Sequence, residues 1–185
     1  MESVLSVSLG LGVAAACGFR IFVPFLVMSL AARGGYLALG ESFEWIAGTP
    51  ALITLIVATT VEIGAYYLPW LDNLLDVVAT PAAVIAGIVA SASVFTGMDP
   101  YVKWTLAAIA GGSVAGAVQI ATVGVRQASL LGTGGLGNPL VSTAEAAGSV
   151  ITAVLAILVP VLAAAMIVLI LLTVRRRRAR LHQPA

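Results

Sequence analysis

Five apolar stretches make up most of this chain, at roughly residues 3–32, 50–69, 71–98, 101–131 and 139–174. Each approaches or exceeds the ~20 residues that a helix needs to cross a bilayer. The runs are continuous rather than alternating, unlike the two-residue period of a membrane β-barrel strand. Charged residues supply 9% of the 185 positions and hydrophobic ones 61%, whereas soluble domains run to about 25% charged. A soluble globule could not cover its surface with so few charges. The fold expected is an all-α, polytopic transmembrane helical bundle. Five spans are expected, with six as the alternative, in a single domain over 1–174 with a basic tail at 175–185. The last stretch is too long for one crossing, so its start is expected at the surface or re-entrant.

Other classes fall to the same arithmetic. Cys17 has no partner for a disulfide, and the one histidine, His182, lies in the tail, away from any His-based site. The basic residues are too few and too clustered for a nucleic-acid face. The opening MESVLSVSLG has no basic region ahead of its apolar run, so no signal peptide is expected. The glycine run Gly132–Gly137 lacks the Lys-Ser/Thr of a phosphate-binding loop, and no cofactor is expected.

The breaks between stretches carry helix-start chemistry. Thr49-Pro50, Asp99-Pro100 and Asn138-Pro139 each put a capping side chain before a proline suited to the first turn. Pro24, Pro81 and Pro160 lie inside stretches and should kink or break them. On that basis Pro81 divides 71–98 into an amphipathic piece and a short span. Gly112 and Gly116 predict close helix packing, and Trp45 and Trp104 predict interfacial positions. Arg175, Arg176, Arg177, Arg178 and Arg180 predict a cytoplasmic C-terminus. Five spans then put residue 1 outside, with Arg33 and Lys103 inside. The order Arg20, Gly34-Gly35, Pro50, Glu62 is echoed by Arg126, Gly134-Gly135, Pro139, Glu145, as in an inverted repeat.

Ionisable groups inside membrane segments are costly and need partners or water. Arg20 and Glu62 are expected to form a buried charge pair between the first two spans. Asp72 and Asp76 stand one turn apart on a helix face that continues through Thr80, Ala83 and Gly87. With Glu145, and Arg126 as counter-charge, they are expected to line an outward-facing ion or substrate pathway suited to a hard cation or to protons. The alternative is that the two aspartates mark a wet helix start.

Cys17-Gly18-Phe19-Arg20 followed by Pro24, the stretch Pro69-Trp70-Leu71-Asp72-Asn73-Leu74-Leu75-Asp76 with Thr80-Pro81, and the Gly-rich fourth span resemble a widespread bacterial family. Its members are small integral membrane proteins described only as a domain of unknown function. The resemblance covers nearly the whole chain. It implies a helical protein of the bacterial inner membrane and points to Arg20, Asp72 and Asp76, with no activity attached.

Three functions fit these residues. The first is a small transporter or channel for a cation or a proton-coupled solute. The second is a non-catalytic membrane module that packs with lipid or partner proteins, including further copies of itself. The third, least supported, is a metal-dependent enzyme acting on a lipid phosphate, for which Asp-x-x-x-Asp is the single cue and no second acidic motif exists. A non-enzymatic role with membrane lipid, and a small cation or proton as partner, is therefore expected.

Overall fold

The computed structural model describes residues 2–67, 69–159, 166, 169 and 173, and of these the backbone alone at 2–3 and 69–76. Pro160, the Arg run, His182 and most of the last expected stretch beyond Val159 lie outside the described residues. The described elements are helical: α1 (Glu2–Phe19), α2 (Phe22–Arg33), a 3-10 segment (Glu41–Ala47), α3 (Thr49–Ala65), α4 (Pro69–Val94), α5 (Pro100–Leu106), a π turn (Ala107–Gly111), α6 (Gly112–Thr133) and α7 (Asn138–Leu158). Three helical runs are long and apolar enough to cross a membrane, Val77–Val94, Pro100–Thr133 and Asn138–Leu158. The 3-10 segment and α3, bent by 66°, make a fourth if taken together.

Prolines act unevenly. Pro24 has no amide hydrogen for the carbonyl of Arg20, four residues back, and its ring crowds that carbonyl. The first stretch accordingly breaks at Arg20, and α2 starts with Pro24 in its first turn. Pro81 does not divide its stretch: α4 runs through it without interruption. Of the three expected caps, Asp99 alone works as such, accepting from the amides of Tyr101 at 2.9 Å and Val102 at 3.4 Å. For α3 and α7 the capping position falls one residue earlier, on Gly48 and Gly137, with no side-chain cap.

The break at Arg20 reverses the chain. Ser91 on α4 donates to the carbonyl of Gly10 on α1 at 3.0 Å, and Gly40 donates to Ser93 at 2.8 Å. Just before Gly40, Arg33 ends α2 and donates to Ala47 at 2.9 Å. At ~3.3–3.6 Å per residue, the link from Arg33 to Gly40 is too short to run the length of the bundle. The C-terminal end of α2 therefore lies at the same end as the start of α1, and the two helices form a hairpin with Arg20–Ile21 at its tip. Antiparallel to α1, α7 starts near the tip, where Arg20 meets Ser142, and passes Ser149, which donates to Ala16 at 2.9 Å. Leu158 thus finishes at the end where α1 begins. Among the described residues, the start of α1, Arg33, Lys103 and the end of α7 therefore share one end.

At the centre of the bundle, α1 packs against α4, α6 and α7. Small residues make this approach close: Gly18 meets the carbonyl of Ala115 and the side chain of Val118, and Gly112 and Gly116 take the side chains of Val84 and Ile88. Cys17 is fully buried in this core. In contrast, α3 packs against α2 and the 3-10 segment and stands off from α4. Between α3 and α4 runs a groove of about 600 Å³, lined by aliphatic residues such as Ile53, Val57, Ala58, Val78 and Ala82 and ending at Glu62 and Tyr66. Where α6 turns into α7, Gly134 and Gly135 adopt left-handed φ values of 62° and 90°, a conformation costly for residues with a Cβ.

Candidate functional site

The site forms where the hairpin tip meets the end of α3, the last third of α6 and the first turns of α7. Pro24 ends α1 and leaves the first amides of α2 without intrahelical partners. Glu62, one turn before the end of α3, supplies the acceptor. Its Oε1 accepts from Ile21 at 2.6 Å and its Oε2 from Phe22 at 3.0 Å. A carboxylate from another helix thus caps α2 and complements its dipole.

Arg20 points toward α7. Its Nη2 donates to the carbonyl of Ser142 at 3.0 Å and to the Ser142 hydroxyl at 2.7 Å, and stands 3.1 Å from Oε2 of Glu145. Arg126 reaches the same carboxylate from α6, with Nε donating to Oε1 at 3.0 Å and Nη2 paired with Oε2. Glu145 is therefore shared between two guanidiniums. All three charges are withdrawn from solvent, with relative exposures of 1% for Arg20, 2% for Arg126 and 5% for Glu145. The Tyr66 ring lies against both cations, its centroid 3.9 Å from the Cζ of Arg20 and 4.1 Å from that of Arg126. Desolvated cation–π contacts of this kind are worth about 2 kcal/mol. Nearby, the hydroxyls of Tyr67 and Thr143 lie 2.7 Å apart, joining the end of α3 to α7.

The arrangement differs from the expected one in two respects. Arg20 and Glu62 are neighbours in the site, but the carboxylate binds the amides that follow Arg20 while the guanidinium turns to Ser142 and Glu145. Glu145 does not add a free carboxylate to an acidic vestibule, because Arg20 and Arg126 both occupy it. Asp72 and Asp76 belong to the first turns of α4, one turn apart on a helical backbone; their side chains lie outside the described residues. Ser142 and the Tyr66 ring belong to the charged cluster, and the sequence reading did not pair either of them with the arginines. The spacing of Ser142 and Glu145, three apart on one helix, was the available signal.

Not every buried polar group is satisfied. Nε and Nη1 of Arg20, Nε2 of Gln119 and the hydroxyl of Thr59 have no hydrogen-bond partner. Buried donors without acceptors are costly, so the tip of the hairpin has spare capacity for an acceptor. Among the described residues, no three His, Cys, Asp or Glu side chains gather as metal ligands.

Over residues 7–178 the chain matches the family named Domain of unknown function (DUF4126), and it belongs to that family. No curated protein and no solved structure matches it.

Proposed function

We propose that this member of the family is a non-enzymatic, proton-coupled carrier of a small solute in the bacterial cytoplasmic membrane. The observation that carries this reading is the hairpin tip: a helix broken at Arg20, its freed amides held by Glu62 from α3, beside the buried Arg20–Glu145–Arg126 cluster. Ionisable groups at such depth mark ion and proton paths, and broken helices bind substrates in transporters. Two guanidiniums hold Glu145, whereas amides alone hold Glu62, which also lines the groove. Glu62 is therefore the group that exchanges a proton, with Asp72 and Asp76, on the first turns of α4, as further proton-carrying groups of the same reading. Apolar helices compatible with a membrane supply the setting, and lipid is the surrounding partner. Cation coordination by a surplus of carboxylates has less support, since Glu145 is already neutralised.

In proteoliposomes with a trapped pH dye and a clamped potential, the wild type should dissipate a pH gradient faster than protein-free vesicles, with sodium, potassium or magnesium outside. Glu62→Gln should slow this at least tenfold while the protein remains folded. Wild-type rates equal to those of empty vesicles would overturn the carrier reading. They would favour a second one, a lipid-binding membrane module, which has its own support in the groove between α3 and α4.

The basic residues set the orientation. Arg33 and Lys103 share an end with the start of α1, so that end, together with the C-terminal tail, belongs in the cytoplasm. Cysteines introduced at Val4 and Tyr101 should react with an impermeant maleimide from the cytoplasmic side, and one at Leu136 from the opposite side. Buried Cys17 should stay silent. Labelling of Val4→Cys from the same side as Leu136→Cys would restore an odd number of crossings.

A further inference from the structure

We infer that the groove between α3 and α4 binds a single-chain amphiphile with a carboxylate head, which takes the place of Glu62 on the first amides of α2. This rests on the hairpin-tip site of the proposed carrier but not on any movement of solute. Two observations meet there. The amides of Ile21 and Phe22 already hold a carboxylate, so their geometry suits that group. Arg20, the residue before them, is 1% exposed and has Nε and Nη1 without partners. Both nitrogens are donors, so the missing partner is an acceptor, and beside a guanidinium an anionic one.

The apolar half of the ligand follows from the groove. Its volume of about 600 Å³ lies in the range of small-molecule sites, and its walls are aliphatic except for Phe22, Thr54, Glu62 and Tyr66. Ile21 and Phe22, whose amides bind Glu62, also line it. A chain lying along α3 and α4 therefore brings its head to those amides. Within lipid the carboxylic acid arrives neutral. Its proton passes to Glu62, the Glu62 carboxyl leaves the amides, and the new carboxylate replaces it beside Arg20. One O–H bond breaks and one forms, and the net charge of the site is unchanged. A neutral hydrocarbon or an alcohol gains the groove but not the donors.

The test is equilibrium binding of dansylated undecanoic acid to the purified full chain in detergent, read by fluorescence. The acid should bind saturably and at least tenfold more tightly than the matching dansylated alcohol, and millimolar acetate should not displace it. Glu62→Gln should bind the acid at least tenfold more tightly, because a neutral side chain yields the amides to the carboxylate, whose proton is released to bulk water. Ala58→Trp on one wall, or Ala82→Phe on the other, should weaken binding at least tenfold without touching a charge. Equal affinity for acid and alcohol would reduce the site to an apolar groove, and displacement by acetate would reduce it to an anion site without a chain. Either result overturns the inference, as does weaker binding by folded Glu62→Gln. No gradient is involved, so failure of proton flux and failure of binding remain separate results.

Discussion

Replacing Glu145 with Gln should lower the stability of the protein by about 3–5 kcal/mol, the usual cost of removing one partner from a buried ion cluster. The magnitude follows from what remains. Arg20 and Arg126 would face each other across a neutral amide, both nearly without solvent and both against the Tyr66 ring. Arg20 keeps its bonds to Ser142, but Arg126 loses a bidentate partner that an amide cannot replace. The double change Arg126→Gln with Glu145→Gln removes one positive and one negative charge and leaves Arg20 on Ser142. It should therefore be less damaging than the two single changes added together, with a coupling of about 0.5–3 kcal/mol. Arg126→Lys should behave like a loss rather than a conservative swap, since an ammonium lacks the planar fork that meets a carboxylate and stacks on a ring. Thermal unfolding in detergent, followed by size-exclusion fluorescence, measures each value. A Glu145→Gln protein within about 1 kcal/mol of wild type would mean that water, not the second arginine, balances that carboxylate.

How much of this was legible in the sequence depends on the range of the interaction concerned. Helical class and apolar character follow from residue type along the chain, and both were readable. So was the break at Pro24, because a missing amide and a crowded carbonyl act within one turn. The same argument misjudged Pro81, where α4 packs against α1 and α6 and tertiary contact outweighs the lost hydrogen bond. The charges were readable as a set but not as pairs. Arg20 lies 122 positions from Ser142, and nothing local says that it turns to α7 rather than to α3. The apolar stretch containing Glu62 reads on to residue 69, but α3 ends at Ala65, one turn beyond the carboxylate that meets the hairpin tip. The hairpin was hidden for a related reason: the 30-residue apolar stretch at 3–32 reads as one crossing, whereas Pro24 and the Glu62 cap turn it into two antiparallel arms.

Gly87→Val should be the most damaging change outside the charged cluster, and the reason lies in how α4 meets α6. A Cβ built on Gly87 would stand 2.4 Å from the Cβ of Ala115 and 2.9 Å from the carbonyl of Gly111. The reverse holds across the contact, where a Cβ on Gly111 would stand 2.8 Å from the carbonyl of Gly87. Two backbones are thus in contact with no flexible side chain between them to move aside. On its other side α4 meets α1, where Phe95 lies against Gly10 and Ser91 bonds the Gly10 carbonyl, so α4 cannot retreat. Overpacking of this kind costs about 1–3 kcal/mol and sometimes more, and valine's branched Cβ puts it at the upper end. Gly64→Ala is the matched control. Nothing lies within 4 Å of a Cβ there, and alanine gains about 0.8–1 kcal/mol of helix propensity over glycine, so that variant should be slightly more stable than wild type. The consequence reaches the hairpin tip. Gly18, two residues before Arg20, packs on the carbonyl of Ala115, the residue that a valine at position 87 would push. A folded fraction of Gly87→Val should therefore bind the dansylated acid more weakly than wild type, while Gly64→Ala binds it unchanged. Equal melting temperatures for Gly87→Val and wild type would show that α4 and α6 are not held at the separation on which the placement of Arg20 depends.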